Sequence, residues 1–171
     1  MNYNLLIEKI KYEKYKKMIR LMKNSFYKEN ETKEKLINFI RGAERLSMGP
    51  ECEKFEEEFS KYHGGKHSIL VNSGSSANIA LIQSLLNLKR INKGDYVAFS
   101  TLTWSTDVMP LIQLGLKIVP VDISIKNLNI SYKSFMDTID KYPIKMLFIT
   151  NLLGFCSKDL NLIKDVCEKK G

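Results

Sequence analysis

The stretch that most constrains this chain is Leu70-Val71-Asn72-Ser73-Gly74-Ser75-Ser76-Ala77-Asn78. A short apolar run over 68–71 stops abruptly at small polar residues. An apolar helical pattern then begins at Ala77, Ile79, Ala80, Leu81 and Leu85. The order is strand, small-residue turn, helix start. The first N–H groups of a helix have no partner within it and carry the positive end of its dipole. Gly74 lets the backbone come close to a ligand, and Ser75 and Ser76 add hydroxyl donors. Such a turn suits a phosphate. The same pattern also fits a turn that does no more than cap its helix.

Around this turn the pattern is largely strand–helix alternation. A helix is expected over 4–24, a polar linker over 24–34 and a short helix over 35–45. Ser47-Met48-Gly49-Pro50 breaks the chain, with Pro50 suited to the first turn of the next helix. Phe55, Phe59 and Tyr62 give that helix one aromatic face, and Gly64-Gly65 ends it. A strand is then expected over 67–72 and a helix over 76–88, followed by a turn at Asn92-Lys93-Gly94-Asp95. Further strands are expected over 96–99, 117–122 and 144–150. Helices are expected over 105–114 (with Pro110 as a kink or the true start), over 132–140 behind Ser131, and over 158–170 behind Ser157. Gly171 is a plausible residue to follow the last helix. Pro120 suggests that its strand lies at an edge or a bulge. Strands alternating with helices imply an α/β sandwich with a mostly parallel sheet.

In such sheets the site lies beyond the carboxyl ends of the strands. Three loops arrive there, over 72–76, 100–106 and 151–156. One of them carries the only tryptophan of the chain, Trp104, set among Thr101, Thr103, Ser105 and Thr106. A flat apolar ring beside a phosphate turn suits a planar aromatic ligand. The alternative is that Trp104 plugs the top of the core.

Composition narrows the classes. The 171 residues are 44% hydrophobic, enough for a real core. No apolar run is long enough to span a membrane, and the polar start resembles neither a secretory signal nor a transit peptide. Three cysteines (Cys52, Cys156 and Cys167) are odd in number, far apart and without metal-ligand spacing. No metal site is expected, and a reducing cytoplasm is. The net charge of +8 is uneven: residues 1–45 hold 12 Lys and Arg against 6 Asp and Glu. Because those lysines interleave with glutamates and no stacking motif accompanies them, the basic segment reads as a solvated helix face and not as a nucleic-acid site. His63 and His67 read as turn residues beside Gly64-Gly65.

Three stretches together resemble one family: Met48-Gly49-Pro50 with Phe55-Glu56, Tyr62 and Gly64; Asn72-Ser73-Gly74-Ser75-Ser76-Ala77; and Gly94-Asp95 with Thr103-Trp104-Ser105-Thr106, Gly115 and Val121-Asp122. The chain is similar to the DegT/DnrJ/StrS-type, pyridoxal-phosphate-dependent nucleotide-sugar aminotransferases, from about residue 45 to its end. The resemblance implies the large domain of a fold-type I PLP-dependent transferase, a mixed, mostly parallel sheet flanked by helices, present here in part. It implies a 1–44 helical segment before a 45–171 portion of that domain. Pyridoxal 5′-phosphate (PLP) is the implied cofactor. Gly74, Ser75 and Ser76 match the positions that hold its phosphate, Trp104 the aromatic residue on its ring, and Asn151 a position near its face. Met48 and Gly49 match a loop near the substrate entrance.

The resemblance also implies a nucleotide-sugar substrate, glutamate as amino donor, a homodimer and a role in polysaccharide or amino-sugar biosynthesis. No catalytic residue is assigned within the chain. The aspartate that pairs with the pyridine nitrogen and the Schiff-base residue are expected beyond Gly171. The chain is therefore expected to be the N-terminal part of a longer enzyme, inactive alone. Thr103-Trp104-Ser105-Thr106, Asn129-Ile130 and Asn151-Leu152-Leu153-Gly154 also resemble the keto-deoxysugar 3-dehydratase branch, where histidine replaces the anchoring lysine. Amino transfer is the leading expectation, 3-dehydration the alternative, and a non-catalytic phosphate-binding module a third. A Rossmann-type nucleotide binder is disfavoured, because no GxGxxG follows the turn.

Overall fold

The computed structural model describes residues 26–170. The helix expected over 4–24 and the residue Gly171 lie outside the described residues. The chain divides into two compact units, Met1–Ser68 and Ile69–Gly171.

In the first unit, α1 spans Glu29–Gly42 and α2 spans Pro50–His63. The linker expected over 24–34 is corrected, since α1 takes in most of it. Glu29 and Glu31 sit in the first turn, where the helix dipole favours negative charge. Both pair one turn on, with Lys33 and Lys35. The polar composition that suggested a linker is that of a helix with no buried residue. Helix α2 starts at Pro50 as expected, with the carbonyl of Gly49 accepting from the amides of Cys52 and Glu53. It ends at Gly64, whose φ of 71° lies in the left-handed region, and the amide of Gly65 donates back to the carbonyl of Ser60. Phe55 and Phe59 stack along its exposed face at 5.6 Å between centroids.

The second unit is a layered α/β structure. Its elements are α3 (Gly74–Asn87), β1 (Tyr96–Ser100), α4 (Ser105–Gln113), β2 (Lys117–Val121), β3 (Ile123–Ser124), β4 (Asn129–Ile130), α5 (Tyr132–Ile139), β5 (Ile144–Phe148) and α6 (Leu160–Lys170). The main sheet runs in the order β2-β1-β5 and is parallel throughout. Side chains alternate across a strand. Val97 of β1 therefore enters a cluster with Ile82, Ile91, Leu111 and Leu116, under α3 and α4. Ala98 enters the cluster on the other face, with Val121, Ile130, Phe135 and Ile163, under α5 and α6. Pro120 lies on β2, at one edge of the sheet, where its missing N–H removes no ladder bond.

Three expectations are corrected here. No strand forms over 67–72. A strand exists only by the ladder it shares, and the ladders among the described residues join β1 to β2 and β5, and β3 to β4. Ile69 is 84% exposed. The strand expected over 144–150 ends at Phe148, the last residue paired with β1, and the carbonyl of Thr150 accepts from the Asn129 side chain instead of a neighbouring strand. The last helix begins at Leu160 and not at 158. Ser157 is buried; its Oγ accepts from the amide of Asp159 at 3.2 Å, the cap-type bond expected of it, and also donates to the carbonyl of Ile130 at 2.6 Å. Ser131 forms the capping box of α5 with Ser134. The antiparallel pair β3–β4 was not foreseen, since two-residue strands leave no periodic pattern.

Candidate functional site

Beyond the carboxyl ends of β1 and β5 the structure brings together the three loops that the sequence placed there. Gly74, Ser75 and Ser76 are the first three residues of α3. Ser73 caps the helix, its Oγ accepting from the amide of Ser76 at 3.2 Å. The hydroxyl of Ser76 donates to Asn72 Oδ1 at 2.6 Å. Ser76 is thus engaged within the turn. Among the described residues the amides of Gly74 and Ser75 and the hydroxyl of Ser75 have no such engagement. A Cβ placed on Gly74 would meet nothing within 4 Å. Gly74 is therefore not required by contacts inside the chain, and the space beside it is open.

Trp104 lies one residue before α4 and is 63% exposed. The expectation that it plugs the core is set aside by that exposure. Its neighbours are held instead. Pro110 has no N–H, so the carbonyl of Thr106 has no donor one turn on. Asn78 of α3 supplies one, donating from Nδ2 to that carbonyl at 3.2 Å. The same Nδ2 donates to Asp107 Oδ1 at 2.7 Å. The other carboxylate oxygen, Oδ2, accepts from Thr103 Oγ1 at 2.6 Å and from Thr150 Oγ1 at 2.8 Å. The two hydroxyl oxygens are 2.7 Å apart. Helix α3, the Trp104 loop and the end of β5 thus meet at one carboxylate.

A second buried group, Asn129, ties down the chain after β5. Its Nδ2 lies 2.8 Å from the carbonyl of Phe155, 3.0 Å from Asn151 Oδ1 and 3.3 Å from the carbonyl of Thr150. Its Oδ1 accepts from the amide of Ile130. Asn151 is exposed, with its side chain oriented by this contact. The following 3₁₀ turn, Leu152–Gly154, holds Leu153 at a φ of 52°, unusual for a branched residue. No buried side-chain polar atom among the described residues lacks a partner.

The sequence reading missed Asp107, Asn78 and Thr150 as site-building residues. Pro110 was the available signal: a proline inside a helix frees a carbonyl, which calls for a polar side chain nearby. Met48 and Gly49 belong to the first unit, with Met48 exposed and Gly49 at the start of α2. Of the cysteines, Cys156 is exposed and follows the 3₁₀ turn. Burial, and then the charge of Glu168, push the Cys167 thiol up from its ordinary range, which leaves it less reactive. Among the described residues no group of three or more His, Cys, Asp or Glu could hold a metal ion. No described helix is long and apolar enough to cross a membrane.

Known proteins share this architecture. The model of the DegT/DnrJ/EryC1/StrS aminotransferase family matches residues 27–171. GDP-4-keto-6-deoxy-D-mannose 3-dehydratase of Escherichia coli O55:H7 is 33% identical over 150 residues, which cover 80% of this chain and 38% of that protein. The solved structure of the E. coli GDP-4-keto-6-deoxy-D-mannose-3-dehydratase with bound hydrated PLP superposes with a TM-score of 0.64 at 32% identity, covering 70% of this chain and 31% of the other. UDP-4-amino-4-deoxy-L-arabinose–oxoglutarate aminotransferase of Shewanella sediminis is 27% identical over 124 residues, 72% of this chain and 30% of that protein. The chain thus spans well under half the length of these relatives. The expected fold, an α/β domain of the PLP-dependent transferase kind with a parallel sheet flanked by helices, is the one observed in part.

Proposed function

Because the chain belongs to the DegT/DnrJ/EryC1/StrS aminotransferase family, a PLP-dependent family, we propose that its second unit carries one wall of a PLP site in an enzyme of nucleotide-sugar modification. The observation that carries the reading is the pairing of free amides with an exposed ring. Gly74 and Ser75 offer unengaged N–H groups at the positive end of α3, and Trp104 stands on a loop hydrogen-bonded to the same helix. This donor set fits a phosphate beside a flat heteroaromatic ring. Gly74, Ser75 and the Ser75 hydroxyl would hold the phosphate, with Ser76 fixing the turn. Trp104 would cover one face of the ring, and Asn151 would border it. Bound there, PLP would supply an electron sink for carbanionic chemistry at the substrate.

The substrate class we assign is a nucleotide-linked 4-keto-6-deoxysugar, with glutamate as co-substrate and a homodimer as the working form. Two relatives named GDP-4-keto-6-deoxy-D-mannose 3-dehydratase are 33% identical over 150 and 154 residues and a third 3-dehydratase is 36% identical over 89, while a relative named an aminotransferase is 27% identical over 124. That gradient favours loss of the sugar 3-hydroxyl. Amino transfer remains the second reading, supported by the family at large. Met48 and Gly49 are assigned to the substrate entrance on the same basis.

Titration with PLP, followed by the emission of the single tryptophan, tests the site. Saturable quenching of Trp104 is expected. In Gly74→Ala it should weaken on the order of tenfold with no fall in melting temperature, since the new methyl meets open space within the chain. Absence of saturable quenching in the native chain would sink the proposal. Mass spectrometry after incubation with GDP-4-keto-6-deoxymannose, PLP and glutamate separates the two reactions by the gain of an amino group or the loss of a hydroxyl.

A further inference from the structure

Asp107 is an acidic side chain only 9% exposed, and no role in cofactor contact falls to it. Removing a carboxylate from water is costly unless it is well hydrogen-bonded, so packing alone would favour an apolar residue at this position. Being in the first turn of α4, it enjoys the favourable end of that helix dipole. Yet its side-chain bonds go elsewhere. Oδ1 takes a bond from Asn78, one turn into α3 from Gly74, and Oδ2 takes bonds from Thr103 and Thr150. Its own amide donates to the carbonyl of Trp104 at 3.0 Å. The backbone is therefore fixed on both sides of Trp104, through the Thr103 side chain before it and the Trp104 carbonyl after it. Trp104 has no side-chain cap bond of its own and its ring is exposed.

We propose that Asp107 is the positioning residue of the site: its carboxylate locks the start of α3, the Trp104 loop and the end of β5 into one rigid wall and so holds the Trp104 ring at a fixed place relative to the amides of Gly74 and Ser75. The role rests on the reading of Trp104 as the ring that covers the cofactor. Asn78, Thr103 and Thr150 are its partners, and loss of any one of them loosens the wall less than loss of the shared acceptor.

The test uses the 171-residue chain, in which Trp104 is the only tryptophan, so that its fluorescence reports this one place. Anisotropy decay and quenching by added PLP are measured for the native chain, Asp107→Ala, Asp107→Asn and a control, Val166→Ala, in the cluster on the other face of the sheet. In Asp107→Ala a fast depolarising component should appear in the Trp104 decay. PLP quenching should weaken on the order of tenfold, the scale on which orienting partners act. Asp107→Asn, which still accepts from Asn78, should recover part of both signals. Val166→Ala should lower the melting temperature and change neither. Unchanged decay and quenching in Asp107→Ala would overturn the role, as would equal losses in Val166→Ala. If Asp107→Ala does not fold, Thr103→Val and Thr150→Val are read by the same criteria. Absence of quenching in the native chain would refute the cofactor reading, while the anisotropy comparison would still decide whether Asp107 fixes Trp104.

Discussion

Helices α1 and α2 bury one side chain between them, Ser60, whereas the second unit holds all of the buried hydrophobic residues among those described. The two regions are helical for different reasons. In the first unit the signals are local: glutamates in the first turns, Glu–Lys pairs one turn apart, Pro50 at a helix start and Gly64 at a helix end. In the second unit the helices lie on a sheet whose two faces they cover, and even polar residues such as Asn129 are fully buried. A helix that buries nothing draws its stability from terms of a few tenths of a kcal/mol each, while a packed one draws on apolar burial.

Three perturbations should pull this contrast apart. The largest is Leu111→Ala, in the cluster under α3 and α4. Loss of a fully buried leucine should cost about 2–5 kcal/mol, read from urea denaturation. Amide exchange in α1 and α2 should not change. If those helices lose protection along with β1, the two regions are not separately stabilised. Next is Gly64→Ala, which forces a side chain into a φ of 71°. About 1 kcal/mol should be lost, seen as faster exchange in the last turn of α2 with β1 unaffected. The smallest is 1 M salt. Screening of the Glu29–Lys33 and Glu31–Lys35 pairs should weaken α1 by about 0.3–0.5 kcal/mol per pair. A response in the β1 amides, rather than in α1, would contradict the assignment.

Much of the second unit was legible in advance. Alternation of apolar runs and helical periods gave the parallel sheet. Turn chemistry at Asn92-Lys93-Gly94-Asp95 appears as expected, with Gly94 at positive φ. Ser131 was readable because capping is a matter between neighbours. Errors fell where the deciding partner is distant. Ser157 accepts the amide of Asp159 as a cap does, but its second bond, to Ile130 of β4, has a distant partner that sequence does not show. The run over 67–72 looks like a strand, but no ladder forms there. The polar stretch 24–34 failed in the opposite way: its charges pair at helical spacing, a local fact that composition obscured.

The sequence by itself determined the order of the helices and of the three main-sheet strands in the second unit, the turn of small residues that begins α3, and the position of Trp104 on a neighbouring loop. These depend on periodicity and on bonds between residues close in the chain. Only the tertiary structure decided what holds that loop in place. Asp107 meets Asn78 and Thr150 across 29 and 43 residues. A buried carboxylate finds its donors wherever packing brings them, so no local spacing could have named them.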